Sequence, residues 1–157
     1  MKTTVSALEG NRLNLFIDGR FVAPDSGSYV DSFDPTTGQS WYQFAQADAG
    51  DVARAVASAH KTFNDPQWRN MTPTARGKLL YRLAQLVAEH AEELALLETR
   101  DNGKLLREMR AQMSALPDAY VYFAGMADKL QGEVIPVNKL NQLNYSSREP
   151  LGVVGMI

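Results

Sequence analysis

The 157-residue sequence predicts an α/β protein, and three observations support that fold class. Short β-forming runs separated by turn residues open the chain. Stretches with apolar residues at helical spacing occupy its middle. Alternating polar and apolar residues, followed by an apolar run, occupy its C-terminal part. Strands therefore bracket a helical region, an order that indicates a mixed architecture of strands and helices.

Two β-hairpins are predicted near the start of the chain. The pair Asp18-Gly19 suits a tight turn, because both residues tolerate a positive φ. Residues 34–38 (Asp-Pro-Thr-Thr-Gly) suit a second turn, in which proline fixes φ early and glycine closes the loop. The strands that these turns join are residues 15–17 with 20–22, and residues 29–33 with 41–44.

Helices are predicted from Asp48 onward. Asp48 is suited to cap the first helix, with Asp51 in the first turn, and residues 64–66 (Asn-Asp-Pro) end it. Thr72 followed by Pro73 predicts the start of the next helical region. The apolar positions that define these helices are Val52, Ala55, Val56, Ala59 and Phe63, and then Leu79, Leu80, Leu83, Leu86, Val87, Leu94 and Leu97.

The helical region is predicted to end, resume and give way to strands. Gly103 fits the left-handed position that closes a helix. The helical pattern resumes at Leu105, and we expect Pro117 to break or restart it, because proline cannot donate a backbone hydrogen bond. Residues 133–137 and 143–148 alternate in polarity and are polar enough to form strands with a solvated face.

The apolar run at residues 151–157 predicts a buried strand. Such a strand must be covered on both faces and paired along its edges. No polar or turn residues follow it in the sequence, so we expect the chain to be the leading part of a larger α/β protein.

Composition excludes several classes of function. The net charge of -2 and the interspersed lysines and arginines argue against nucleic-acid binding. The absence of cysteine excludes disulfides, thiolate metal sites and a cysteine nucleophile within these residues. The N-terminus lacks the apolar core of a signal peptide, and no window reaches membrane-spanning length, so we expect a cytoplasmic protein that does not bind membranes.

No catalytic constellation emerges from the residues alone. His60 and His90 are the only histidines, and each is expected on a helix without metal-ligating neighbours. Glu92, Glu93 and Glu98 read either as paired carboxylates or, far better, as a solvated helix face. Gly152 and Gly155 follow no nucleotide-binding motif. The segment 98–104 reads as a helix cap or, less favourably, as a binding site.

Six motifs follow one another along the chain in a set order. They are the hairpin at 16–22, the turn at 34–38, Thr72-Pro73 with Arg76, Leu83 and Leu86, the helix end at 97–104, residues 122–129 with Gly132 and Ile135-Pro136, and the segment 148–157. Their order resembles the N-terminal portion of the NAD(P)-dependent aldehyde dehydrogenase superfamily. The one clear departure is Leu105, where many members have proline, and it affects only the local turn geometry.

The resemblance implies an enzyme that oxidises an aldehyde to a carboxylic acid with NAD or NADP through a cysteine thiohemiacetal. In that family the nucleophile, the glutamate base, the oxyanion-hole asparagine and the main cofactor contacts match positions beyond Ile157. We therefore expect no catalytic and no cofactor-binding residue within this chain. The chain alone is expected to bind NAD or NADP poorly and to be inactive.

The resemblance also implies two groups of site residues. Asp101, with the backbone around Ser32 and Phe33, resembles the monovalent-cation site that some members have near the cofactor domain. A plain helix cap is an equally good interpretation of Asp101. Gln112 and Leu116 match helix positions that border the substrate tunnel in relatives.

The resemblance divides the chain into three parts. Residues 1–132 would supply N-terminal hairpins and helices of the cofactor-binding domain, 133–149 oligomerisation strands, and 150–157 the first strand of the Rossmann-like core; the catalytic domain would be absent. The complete protein would then form a homodimer or homotetramer, and the isolated fragment would aggregate through its uncovered edges. The alternative is a non-catalytic module that pairs with full-length relatives.

Overall fold

The fold is that of a computed structural model, which describes residues 11–157. Residues 1–10 lie outside the described residues. They include the beginning of the predicted unit 1–132 and the N-terminal segment that was tested for a signal-peptide pattern. Within 11–157, strands and short hairpins come first, a block of helices follows, and a two-stranded ribbon lies near the C-terminus. The α/β class and the order of its parts are therefore confirmed.

Both predicted hairpins form. Strand β1 spans Arg12–Leu13, and β2 (Leu15–Ile17) pairs antiparallel with β3 (Arg20–Val22). Asp18 and Gly19 turn this hairpin with φ values of 54° and 73°, the left-handed conformation that the Asp-Gly pair tolerates. The first turn is thus formed by the two residues that the sequence indicates.

The second hairpin belongs to a three-stranded sheet. Strand β4 (Tyr29–Asp34) pairs antiparallel with β5 (Gln39–Ala45), and β1 joins the other edge of β5 in parallel, which gives the order β1-β5-β4. The sequence did not predict β1, because two residues carry no detectable periodicity. The register between β4 and β5 shifts at Ser32 and Phe33, a β-bulge that later determines which side chains meet.

Helix α1 (Ala49–Asn64) begins as predicted. The side chain of Asp48 accepts hydrogen bonds from the backbone N–H groups of Gly50 and Asp51, and the Asp51 side chain accepts from the N–H of Asp48. This reciprocal pair is a capping box built from two aspartates. The predicted end at residues 64–66 is also confirmed, although Asp65 then caps a further short helix, α2 (Pro66–Arg69).

The acid sensitivity of the fold should depend on Asp51. Its side chain is fully buried, and the N–H of Asp48, the N–H of Asp25 and the Arg54 guanidinium all bind it. The hydrogen bond from Asp48, followed by that from Asp25 and the charge of Arg54, lowers the pKa of Asp51 below its ordinary value of 3.8. The stabilisation is therefore present above about pH 4 and is lost as the pH falls through the folded pKa.

Acid titration of the native protein and of Asp51→Asn checks this. We expect the free energy of unfolding of the native protein to fall more steeply as the pH drops below about 4 than that of the variant. The variant should also be less stable at neutral pH, because an amide replaces a paired, buried carboxylate. Identical slopes for the two proteins would contradict the assignment.

Three helices form a layer that contains most of the buried apolar side chains. Helix α3 (Pro73–Glu89) starts with Thr72, whose hydroxyl accepts from the N–H of Ala75 at 3.2 Å. Helix α4 (Ala91–Asn102) and helix α5 (Leu106–Met126) follow, and α5 packs against both α3 and α4. Among the described residues, the buried apolar side chains are Trp41, Ala84, Ala95 and Met109.

The expectation that Pro117 breaks or restarts its helix is wrong. Helix α5 runs without interruption from Leu106 to Met126 and contains Pro117 in its interior. Proline removes one backbone hydrogen bond, at a cost of about 3 kcal/mol in a helix interior. The packing of α5 on two neighbouring helices offsets that loss, so tertiary contacts outweigh local preference here.

The C-terminal strands are shorter than predicted. Only β6 (Val134–Ile135) and β7 (Asn144–Tyr145) pair, as a two-stranded antiparallel ribbon. The strand predicted at 151–157 does not form, and those residues carry no regular secondary structure. A strand needs a neighbour for its backbone groups, and no strand in the described part of the chain lies beside this segment.

Candidate functional site

The C-terminus of α4 presents Asp101 toward the sheet. The helix ends at Asn102, and Gly103 adopts the predicted left-handed conformation with φ 76° and donates its N–H to the carbonyl of Thr99. The Asn102 side chain donates to Glu98 at 2.7 Å and accepts from the N–H of Lys104 at 2.9 Å. The cap interpretation of segment 98–104 is therefore confirmed, and Asn102 rather than Asp101 supplies it.

Asp101 is consequently free to face the hairpin formed by β4 and β5. Its Oδ1 accepts a hydrogen bond from the hydroxyl of Ser32 at 2.6 Å and another from the hydroxyl of Tyr42 at 3.1 Å. Ser32 and Tyr42 are direct partners across the two strands. We call these three side chains the Asp101 cluster. A carboxylate and two hydroxyl oxygens are hard donors of the kind that alkali and alkaline-earth cations prefer.

Phe33 adjoins this cluster through its backbone. It follows Ser32 at the register shift of β4, and its ring is 57% exposed. An aromatic ring offers no oxygen ligand, so only main-chain atoms of Phe33 can take part in a site. The structure thus brings the side chains of Ser32 and Asp101 into contact, and Phe33 follows Ser32 in the chain.

Aromatic and charged side chains pack next to the Asp101 cluster. Trp41 is 5% exposed, and its ring meets that of Tyr42 edge to face, with 4.4 Å between the ring centroids. The Cζ atom of Arg100 lies 4.7 Å from the centroid of the Trp41 ring. Arg100 also pairs with Asp34 at 3.4 Å. Hydrogen bonds from the backbone at Thr36 and Thr37, together with the charge of Arg100, lower the pKa of Asp34. The hairpin turn and the end of α4 are therefore held together by charge and packing.

The sequence did not single out Tyr42 as a member of this site. Without a bulge, the pairing of Asp34 with Gln39 would place Trp41 opposite Ser32; the register shift places Tyr42 there instead. Burial is the main cause of the raised pKa of the Tyr42 phenol, and the Asp101 carboxylate adds to it. The phenol therefore keeps its proton at neutral pH and remains a donor to Asp101.

Substitution of Gly103, which ends the helix that carries Asp101, should destabilise the protein. A Cβ there would lie 2.8 Å from the Pro35 ring, in addition to the strain of a positive φ. We expect Gly103→Ala to lower the free energy of unfolding by about 2–3 kcal/mol. Gly19→Ala is the matched control, because Gly19 has a φ of 73° but open space around its Cβ position, and it should cost about 1–2 kcal/mol. Equal losses in chemical denaturation would show that the Pro35 contact is unimportant.

Gln112 and Leu116 lie elsewhere, on helix α5. They are one turn apart, so they share a face of the helix, and both side chains are exposed. Among the described residues, no hydrogen bond or ion pair connects either of them to the Asp101 cluster. The two predicted groups of site residues are thus separate in the structure.

The two histidines make local contacts only. His60 contacts Asn64, and the Nδ1 of His90 lies 3.0 Å from Glu93, in each case within about one helical turn. Glu92 forms a bidentate pair with Arg110 of α5 instead of facing Glu93 or Glu98. These contacts are those of helix surfaces, and they place no acid–base pair in a cleft.

One acidic group was not anticipated. Carboxylate oxygens of Asp25, Asp48 and Asp51 lie within 4.8 Å of one another at the start of α1. Arg54 forms ion pairs with both Asp25 and Asp51, and capping hydrogen bonds engage the carboxylates of Asp48 and Asp51. Charge neutralisation and capping therefore account for this group.

In the part of the chain that the structure describes, no helix has the length and apolarity needed to cross a membrane.

Comparison with known proteins identifies the family. The model of the aldehyde dehydrogenase family matches residues 21–157, which is most of the chain. This chain belongs to the aldehyde dehydrogenase family. It is 42% identical over 146 residues to (Z)-2-((N-methylformamido)methylene)-5-hydroxybutyrolactone dehydrogenase of Acinetobacter baylyi, a match that covers 93% of this chain and 30% of that protein. It is 39% identical to the cytosolic 10-formyltetrahydrofolate dehydrogenase of Xenopus laevis, covering 91% of this chain and 16% of that protein.

Solved structures of aldehyde dehydrogenases share the fold. The NAD+ complex of an aldehyde dehydrogenase from Bacillus cereus superimposes with a TM-score of 0.85 at 36% identity, over 92% of this chain and 30% of that chain. An NAD-dependent aldehyde dehydrogenase from Sinorhizobium meliloti gives a TM-score of 0.76 at 32% identity, over 83% of this chain and 26% of that chain. The chain thus spans about a third or less of the aldehyde dehydrogenases that it matches.

Proposed function

We propose that this chain is the N-terminal part of an NAD(P)-dependent enzyme that oxidises an aldehyde to a carboxylic acid through a cysteine thiohemiacetal. The family match over residues 21–157 is the observation that carries the proposal. NAD or NADP, when bound, accepts the hydride. The proposed role of the described residues is to complete the cofactor domain, border the substrate tunnel and supply strands for assembly.

The isolated 157-residue chain is proposed to be inactive. It contains no cysteine, so no thiolate is present to attack an aldehyde carbonyl. Without that covalent adduct there is no tetrahedral carbon from which a hydride can leave. We also propose that NAD and NADP bind this part alone only weakly.

The decisive experiment follows NADH or NADPH formation by the native gene product with a panel of aldehydes. The 157-residue chain is assayed in parallel, with an enzyme-free control. Turnover by the native product and none by the 157-residue chain support the proposal. Turnover by the 157-residue chain above the enzyme-free rate would contradict the proposal, because the chemistry would then need no cysteine.

Ser32, Phe33 and Asp101 are proposed to contribute to a monovalent-cation site. The fit rests on their chemistry: Asp101 Oδ1 is already held by a hydroxyl of Ser32, while Asp101 Oδ2 accepts no hydrogen bond from residues 11–157. The main-chain oxygen of Phe33 would add a neutral ligand of the same hard type. A cation there would stabilise the contact between the end of α4 and β4.

Gln112 and Leu116 are proposed to border the tunnel through which the aldehyde enters. Their exposure on α5 leaves both side chains free to face a substrate. We expect Leu116→Ala to raise KM for long apolar aldehydes by about tenfold and to leave kcat nearly unchanged, because uniform binding is lost. Gln112→Ala should alter preference among aldehydes in the same assay.

Arg107→Ala is the matched control for the tunnel variants. Arg107 is exposed on the same helix but lies on a different face from Gln112 and Leu116. Its substitution should leave KM unchanged for every aldehyde in the panel. A parallel rise of KM in all three variants would mean that the helix itself has moved, and the tunnel assignment would be wrong.

The β6–β7 ribbon is proposed to pair with a neighbouring subunit in a homodimer or homotetramer. Val134 is 73% exposed and Tyr145 is 64% exposed, so the ribbon has apolar side chains without cover in this chain. Its backbone edges are also available for strand addition. Light scattering on the native product measures the size of the assembly and so tests this proposal.

We further propose a cytoplasmic location and no binding to nucleic acid or membranes.

A further inference from the structure

The Asp101 carboxylate is held unsymmetrically. Both hydroxyl donors, Ser32 at 2.6 Å and Tyr42 at 3.1 Å, bind the same oxygen, Oδ1. The other oxygen, Oδ2, accepts no hydrogen bond from the residues that the structure describes. Two donors on one oxygen restrict rotation of the carboxylate, so its free oxygen keeps a fixed direction.

Tyr42 is itself held in place. Its ring contacts that of Trp41, which is almost fully buried under Arg100, and its backbone pairs with Ser32 across the two strands. A phenol has only two side-chain torsions, and packing fixes the ring here, so ordering its hydroxyl costs little entropy. The Tyr42 hydroxyl is thus a preorganised donor rather than a surface group that happens to touch Asp101.

We infer that Tyr42 is a positioning residue for the cation site: its hydroxyl, with that of Ser32, orients the Asp101 carboxylate so that the other oxygen faces a monovalent cation. This inference rests on the proposed cation site. Ser32 alone leaves the carboxylate held by a single hydrogen bond.

Cation affinity of the native gene product tests the inference. Na⁺ and K⁺ are titrated separately, with choline chloride holding the ionic strength constant, and binding is read as the rise in thermal midpoint and as sodium NMR line broadening. Tyr42→Phe keeps the ring that packs on Trp41 and removes only the hydroxyl. We expect it to weaken the affinity for the bound cation about threefold to tenfold, as for loss of one hydrogen bond.

Tyr29→Phe is the matched control, because the Tyr29 hydroxyl also belongs to β4–β5 but donates to Asn14 at 2.6 Å, away from Asp101. It should leave the cation affinity unchanged. Tyr42→Met removes the same hydroxyl with a different apolar side chain and should reproduce the loss seen for Tyr42→Phe. Thermal midpoints in choline chloride alone report whether each variant is folded.

Asp101→Asn distinguishes failure of the cation site from failure of the role of Tyr42. If it abolishes the response to Na⁺ and K⁺ while Tyr42→Phe and Tyr42→Met bind as the native protein does, the cation site stands and the role of Tyr42 is refuted. If the native protein responds no more to Na⁺ or K⁺ than to choline, the cation site fails and the inference about Tyr42 fails with it. Selective weakening in both Tyr42 variants is the supporting result.

Discussion

Met109→Ala should lower the free energy of unfolding by about 2–5 kcal/mol, the largest effect we expect from a single substitution in this chain. Met109 lies in the first turn of α5, the helix that packs against both α3 and α4, and its side chain is 0% exposed. Truncation removes apolar contacts and leaves a cavity between helices that can relax only partly.

Chemical denaturation of the native gene product measures this loss. Met113→Ala, one turn further along α5, is the matched control because its side chain is only partly buried. The control should lose clearly less stability than Met109→Ala. Equal losses at the two positions would mean that Met109 is not in the centre of the helical layer.

Gly77→Ala should destabilise the contact between α3 and α5 by about 1–3 kcal/mol. A Cβ at Gly77 would lie 2.5 Å from the carbonyl oxygen of Ala124 and 3.3 Å from the Cβ of Ala127. The oxygen belongs to the backbone of α5, so relief requires a shift of the whole helix. The better helix propensity of alanine, worth about 1 kcal/mol, offsets only part of that cost.

Gly125→Ala is the control for Gly77→Ala, because Gly125 is also helical, in the last turn of α5, but has open space around its Cβ position. It should stabilise the protein by up to about 1 kcal/mol through propensity alone. Opposite signs for the two substitutions, measured as unfolding midpoints, are the expected result. A gain in stability for both would show that α3 and α5 are further apart than described.

Local signals predicted the parts of the fold that local chemistry determines. Asp18-Gly19, the Asp48 cap, Thr72-Pro73 and Gly103 all occupy the conformations that their residue types favour. Pro117 was misjudged because the packing of α5 outweighs a local preference. Residues 151–157 were misjudged because an apolar run forms a strand only where other strands pair with it.

The candidate site was predictable only in part. The family resemblance indicated Ser32, Phe33 and Asp101, and the structure places the first and last of these in hydrogen-bond contact. Tyr42 was not predicted, because a one-residue bulge decides whether Trp41 or Tyr42 lies opposite Ser32. The register shift lies in β4, a strand that contacts α4, and it leaves no reliable pattern in the sequence.

The intact mass of the native gene product, combined with its aldehyde-dependent reduction of NAD or NADP, tests the central proposal most directly. This chain has a mass of 17.4 kDa and covers 30% of the Acinetobacter baylyi relative. The proposal predicts a product roughly threefold heavier that oxidises an aldehyde. A native product of 17.4 kDa without such activity would contradict it, and would favour a non-catalytic module that pairs with full-length relatives.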